Sequence, residues 1–197
     1  MKNWLSGTIL GIALGLLVAG PAFSIAVMKR NLAELATLSE AILVGTVTDI
    51  RSDWDPERTK IHTYVTLSDL EVIKGEVAET SYVLRHLGGM AGGIGMDIPG
   101  MPRLSLGRRY LLFIRGNNSD FFPIVGIQQG VFLIERDTGG QRDVVLAYNG
   151  EPVVGIADDQ PVTQPAQGGA AREPLTLREF VGLIRSYLDS PGTAPGK

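Results

Sequence analysis

Apolar and β-branched positions are densest between Ala41 and Gly75, and their spacing predicts a long hairpin. Ile42 to Ile50 carries Ile42, Val44, Thr46, Val47, Thr48 and Ile50, a composition that favours a strand. Its apolar residues fall in both phases near the start, which predicts cover on both faces there. Gly45 inside the run predicts a bulge, a bend or a close backbone approach. In the second run, Ile61, Thr63, Val65 and Leu67 alternate on one face, and the phase then slips to Leu70 and Val72. A one-residue slip predicts a β-bulge at Ser68-Asp69, and a bent strand is one way a small sheet curls into a barrel. Between the runs, Arg51 to Lys60 reads as a solvated turn. Its acidic residues lack the glycine and distal glutamate of an EF-hand loop.

Further strands are predicted at Ser81–Leu87, Arg109–Arg115, Ile124–Ile127, Val131–Glu135 and Val144–Tyr148, the last pairing with its predecessor across Thr138-Gly139-Gly140. Asn31–Glu40 reads as a short helix capped by Asn31, with Leu32, Leu35 and Leu38 on one side. Near the other end, Thr176 and Glu179 form a capping box, and Phe180, Leu183, Ile184, Tyr187 and Leu188 make one apolar stripe. Many short strands with regular turns predict a mainly β fold, an OB-like closed or partly open antiparallel barrel flanked by an N-terminal and a C-terminal helix. The expected layout is a signal peptide at 1–24, the barrel domain at 25–157, a flexible linker at 158–174, the amphipathic helix at 175–190 and a tail at 191–197.

The signal follows from Lys2, an apolar run from Ile9 to Val18, and small residues at Ala22 and Ser24 before the cleavage point. The run is short against the roughly 20 apolar residues of a membrane span. No stable span is expected after cleavage, so the expected location is periplasmic or secreted; retention as an anchor is the alternative. The 197 residues suit a real core. The chain has no cysteine, which removes disulfides, thiolate metal sites and a cysteine nucleophile. A net charge of −3 argues against general nucleic-acid binding, although Tyr64, Tyr82, Tyr110 and Phe113 offer stacking surfaces.

The order of short helix, Glu40-Ala41-Ile42-Leu43-Val44, turn, and second strand ending Leu67 to Gly75 resembles the netrin-like domain family, whose best-known members are the tissue inhibitors of metalloproteinases. The run Gly107 to Phe113 and a helix after the barrel are similar too. The resemblance spans roughly Leu32 to Phe113 and implies an OB-like five-stranded barrel with flanking helices. It does not carry the inhibitory activity, because those inhibitors place an N-terminal cysteine on the target's metal. The Gly-rich run leading to the YLLF strand also looks like stretches of uncharacterised exported bacterial proteins.

The stretch Leu87 to Gly107, LGGMAGGIGMDIPGMPRLSLG, is the most unusual in composition. It has neither the Gly-Lys-Ser/Thr of a phosphate loop nor the glycine spacing of a dinucleotide fingerprint. Long loops in compact domains are often functional, and methionine adapts its shape to partners. The expected contact residues are Met90, Ile94, Met96, Asp97, Met101 and Arg103. Arg85, Arg103, Arg108 and Arg109 form either a solvated charged face or a local anion-binding patch. His86 with three methionines evokes soft-metal binding, but irregular spacing and one imidazole leave no metal or other cofactor expected. His62 and His86 read as strand residues, Asp97 has no sequence-near acid–base partner, and Ser105 has no nucleophile context, so no catalytic residue is expected. The expectation is an exported, non-enzymatic binding module for a protein or envelope component. The alternatives are a peptidase-inhibitor-like protein and an enzyme whose site assembles only in three dimensions.

Overall fold

The computed structural model describes residues 28–119, 122–164 and 172–189. The expected signal peptide and tail lie outside the described residues, as does the middle of the expected linker. At the centre is a hairpin of β1 (Ala41–Trp54) and β2 (Ile61–Lys74), longer at its tip than the hydrophobic pattern indicated. Pairing runs from Trp54↔Ile61 down to Ile42↔Lys74, with three register shifts. One lies where predicted. Thr46 faces Ser68 and Val44 faces Glu71, so Asp69 and Leu70 together oppose Gly45. Asp69 takes the left-handed conformation, φ 53°, which aspartate tolerates better than most side chains. Gly45 on the other strand allows a close approach, since a Cβ there would press on Leu70 Cδ2 at 2.8 Å and Leu67 Cβ at 3.1 Å. The tip is tied by Asp55, whose carboxylate accepts hydrogen bonds from the Thr59 and Lys60 N–H groups and the Thr59 hydroxyl. Those bonds, the Lys60 one foremost, hold its pKa below the usual carboxylate value.

β3 (Tyr82–Leu87) pairs with β2, and β6 (Arg109–Ile114) pairs with β1 on its other side. β7 (Val131–Arg136) and β8 (Asp143–Ala147) follow outward, giving one antiparallel sheet in the order β3-β2-β1-β6-β7-β8. Between β3 and β6 the chain forms a small separate ribbon, β4 (Gly89–Ala91) with β5 (Ile94–Met96). A second ribbon joins β9 (Val153–Ala157) to β10 (Gln160–Thr163), a strand within the stretch expected as linker.

The two phases of β1 do feed two cores. Ile42 and Val44 pack with Leu111, Phe113, Phe132, Ile134 and Val145 beneath two helices, α1 (Leu32–Leu38) and α2 (Leu177–Asp189). Leu43 and Val47 pack on the opposite face with Val65, Leu67, Leu84, Tyr110 and Leu112. The Asn31 cap and the Thr176–Glu179 capping box read from sequence are both present, and Glu34 completes a box with Asn31 that sequence reasoning missed. The stripe on α2 docks on the sheet, with Phe180 and Ile184 fully buried.

The expected barrel closure does not occur. β3 and β8 are the two ends of the sheet, and each is covered by something other than a strand. After β6 the chain turns at Gly116 instead of continuing, and the Asn117 side chain meets the β3 backbone. Its amide nitrogen donates to the Val83 carbonyl (2.8 Å), and its oxygen accepts the Arg85 N–H (3.0 Å). One side chain thus satisfies an edge that a closing strand would have covered. At the far end, the Val145 N–H of β8 donates to the Leu175 carbonyl at the approach to α2. The strand expected at Ile124–Ile127 is also absent. Ile124 makes a single bridge to Ile114, and a 3-10 turn (Ile127–Gly130) follows.

Candidate functional site

The second core ends where β1 and β2 run on towards the hairpin tip. There one inward row, between Ile50–Val65 and the fully buried Ile61, is polar instead of apolar. Register places Ser52 opposite Thr63 and Thr63 opposite His86, so three polar side chains form one row across β1, β2 and β3. The Thr63 hydroxyl, 5% exposed, donates to the Gly88 carbonyl (2.7 Å), and Ser52 and Thr63 oxygens lie 2.8 Å apart. With the Thr63 proton on Gly88, the Ser52 hydroxyl donates to Thr63. This row receives the chain as it leaves β3. The Gly88 N–H donates to the Ile61 carbonyl, and Gly89 lies so close that a Cβ would stand 2.3 Å from Thr63 Oγ1 and 2.4 Å from Ser52 Oγ. Gly88 and Gly89 adopt φ of 96° and 128°, conformations that glycine permits.

The stretch from 88 to 107 therefore has two parts with different fates. From Pro102 to Leu104 it packs inward: Pro102 is buried and Leu104 joins the second core. Its backbone is pinned by two tyrosines, whose hydroxyls accept from the Arg103 and Ser105 N–H groups. The β4–β5 ribbon instead presents Met90 and Ile94 to solvent, 72% and 57% exposed. Between ribbon, loop and polar row lies a groove of about 510 Å³. Of the six expected contact residues, Met90, Met96, Asp97, Met101 and Arg103 line it together with His86, Ser52 and Thr63; Ile94 stands outside on the ribbon.

Charge around the groove is largely paired. Asp97 accepts from Arg103 at 2.8 Å, with both side chains well exposed. Arg108 pairs with Glu135 and Arg109 with Asp143, while Arg85 donates to the Asn118 carbonyl. The four arginines are thus held separately by different partners. His86 Nδ1 lies 2.9 Å from the Leu87 carbonyl, so that nitrogen carries the proton and Nε2 keeps the lone pair. Burial, acting against that bond, pushes its pKa down. His62, on the opposite face of β2, is also lowered, by burial and then by Arg85. Among the described residues no group of three or more His, Cys, Asp or Glu could hold a metal. The donors gathered at the groove are an imidazole, thioethers and hydroxyls.

The chain matches no family model, no curated protein and no solved structure. Its chemistry has to be read from the groove itself. Neutral His86 can accept a proton or a soft ion at Nε2. The Ser52 and Thr63 protons serve the scaffold, and Asp97 serves Arg103. Two of the aromatic residues considered for stacking, Tyr110 and Phe113, are buried in the cores. Sequence reasoning missed Ser52 and Thr63. Giving Arg51–Trp54 to the turn hid their pairing, which counting outward from an Asp55–Lys60 tip would have found.

Proposed function

We propose that this chain is an exported, non-enzymatic binding module that docks a protein partner of the cell envelope through the β4–β5 ribbon and the adjoining groove. One observation carries the reading. Met90 and Ile94 are displayed to solvent on a ribbon whose base is fixed by glycine packing and by the Thr63 hydroxyl. Large apolar side chains on a rigid mount suit a protein surface, because little conformational entropy is lost on docking. The non-enzymatic part is supported by the hydroxyl protons and the carboxylate at the groove being held in structural bonds. The helix–hairpin–sheet order keeps an open relative of the netrin-like domain as the proposed ancestry, and the export signal at 1–24 supplies the compartment.

The test is a pull-down from the envelope of the producing cell, comparing wild type with a Met90→Ser, Ile94→Ser double variant. Both side chains are exposed, so the variant is expected to keep its melting temperature and lose its partner. A full set of partners retained by the folded variant overturns the reading. Replacing the whole of Met90 to Met101 is the poorer experiment, because it also removes inward-facing supports of the groove.

A further inference from the structure

We propose that the groove is a Cu(I) site, with the His86 imidazole and the Met96 and Met101 thioethers as its ligands. Thioethers are soft, uncharged donors that carry no competing proton, and with an imidazole they suit a soft d10 ion. These three residues sit at irregular intervals in the chain, which argued against such a site in sequence. The fold brings them together from β3, from the end of β5 and from the loop beyond it, and all three line the one groove. The hydrogen bond from His86 Nδ1 to the Leu87 carbonyl fixes the ring tautomer and leaves Nε2 as the donor. Met96 pairs with Gly89, the residue seated against Ser52 and Thr63, so the face of the ribbon that carries Met96 is the face turned to the polar row. Met90 pairs with Gly95 on the other face and borders the groove only at its rim, 72% exposed, which leaves it to the partner contact. Half-buried Met96 and Met101 contrast with Met90 in the same sense. The carboxylates and thiolates that hard or borderline divalent ions prefer are not what this groove offers, since its one lining carboxylate, Asp97, is bonded to Arg103.

The inference does not depend on partner docking, and its test is separate. The purified full chain is titrated anaerobically with Cu(I) in the presence of a chromogenic Cu(I) chelator. One equivalent is expected to be withheld from the chelator, and a tenfold excess of Zn(II), on the order that separates soft from borderline preference, is expected not to displace it. His86→Gln, Met96→Leu and Met101→Leu are each expected to weaken binding about 10-fold or more, at least what loss of an outer-shell partner costs. Met28→Leu, on an exposed methionine away from the groove, is expected to change nothing. A second measurement needs no variant: titration with Ag(I), a redox-inert mimic, is expected to shift the Met96 and Met101 methyl and His86 ring resonances. A wild-type chain that surrenders all its copper overturns the proposal. So does undiminished binding in the Met96→Leu, Met101→Leu double variant, or a silver titration that leaves those resonances in place. A failed copper titration beside a successful pull-down result overturns this site alone and leaves the docking reading standing.

Discussion

Beneath α1 and α2, the Phe132 ring lies 4.8 Å from Phe180 and 6.0 Å from Phe113, in tilted and edge-on contacts within a core that both helices cover. Across the sheet, where the chain leaves β3, the next elements are joined by Gly88, Gly89 and a chain of hydroxyl bonds. The first region uses its large side chains to hold itself together. The second is held by backbone and small polar groups, and its large side chains are left over for the groove and for solvent. The difference locates stability in one region and candidate function in the other. Changes in the first should unfold the molecule, whereas changes in the second should loosen the ribbon with the sheet intact.

The largest effect is expected from Phe180→Ala. Phe180 is fully buried, and its removal leaves a cavity against Phe132. Such truncations cost about 3–5 kcal/mol. The midpoint of urea unfolding should fall accordingly, and loss of α2 helicity should coincide with loss of the sheet. A shift well under 1 kcal/mol, far below the usual ~3 kcal/mol floor, would mean that α2 is not part of the core.

An intermediate effect should come from the ribbon mount, and a pair of glycines makes it a controlled test. At Gly89 a Cβ would collide with both Thr63 and Ser52, and φ is 128°. At Gly93, in the ribbon turn, nothing lies within 4 Å, and only the φ of 78° opposes a side chain. Gly89→Ala is therefore expected to cost about 2–3 kcal/mol and Gly93→Ala about 1 kcal/mol. Hydrogen exchange should show Gly89→Ala releasing residues 88–96 while β1, β2 and β6 stay protected. Equal costs for the two would break the comparison, because the close seating of Gly89 would then contribute nothing.

The same contrast explains what the sequence makes legible. The two phases of β1, the slip at Ser68-Asp69, the Asn31 cap and the Thr176–Glu179 capping box are local signals, and each is found in the structure. Barrel closure depends on where the chain goes after Ile114, and nothing local announces that Asn117 will take the place of a strand. The β4–β5 ribbon is three residues per strand and glycine-rich, too short to show alternation. Composition singled out its methionines, but the Ser52–Thr63–His86 row depends on cross-strand register. The three register shifts lie farther down the hairpin and leave the Ser52–Thr63 pair unaffected, so placing the tip would have found that pair, while His86 needs the β2–β3 register as well.

The smallest effect is a pH-dependent one that sharpens the stable side of the comparison. Asp159 sits in the β9–β10 turn, where Asp158 and Asp159 adopt φ of 51° and 58°. Its carbonyl accepts the first N–H of α1, from Leu32, and its carboxylate accepts the Tyr187 hydroxyl of α2 at 2.7 Å. One turn residue thus ties both helices to the ribbon that joins them. That hydrogen bond first, then burial and the aspartate charge, push the Tyr187 pKa from 10.0 up to about 12. A tyrosine raised in the folded state favours folding while it is protonated. Its contribution is fully present below pH 10 and is lost as pH rises through about 12. Tyr187→Phe is expected to cost about 1 kcal/mol at neutral pH, the worth of one partly exposed hydrogen bond. The stability gap between wild type and variant should narrow between pH 10 and 12. Working with the difference matters, because burial also raises the Tyr82 pKa and lowers that of Lys74, so both groups add their own pH dependence to stability. Their contributions are common to the two chains and cancel. A gap that stays constant to pH 12 would remove the Tyr187–Asp159 bond from the set of contacts that hold the helices in place.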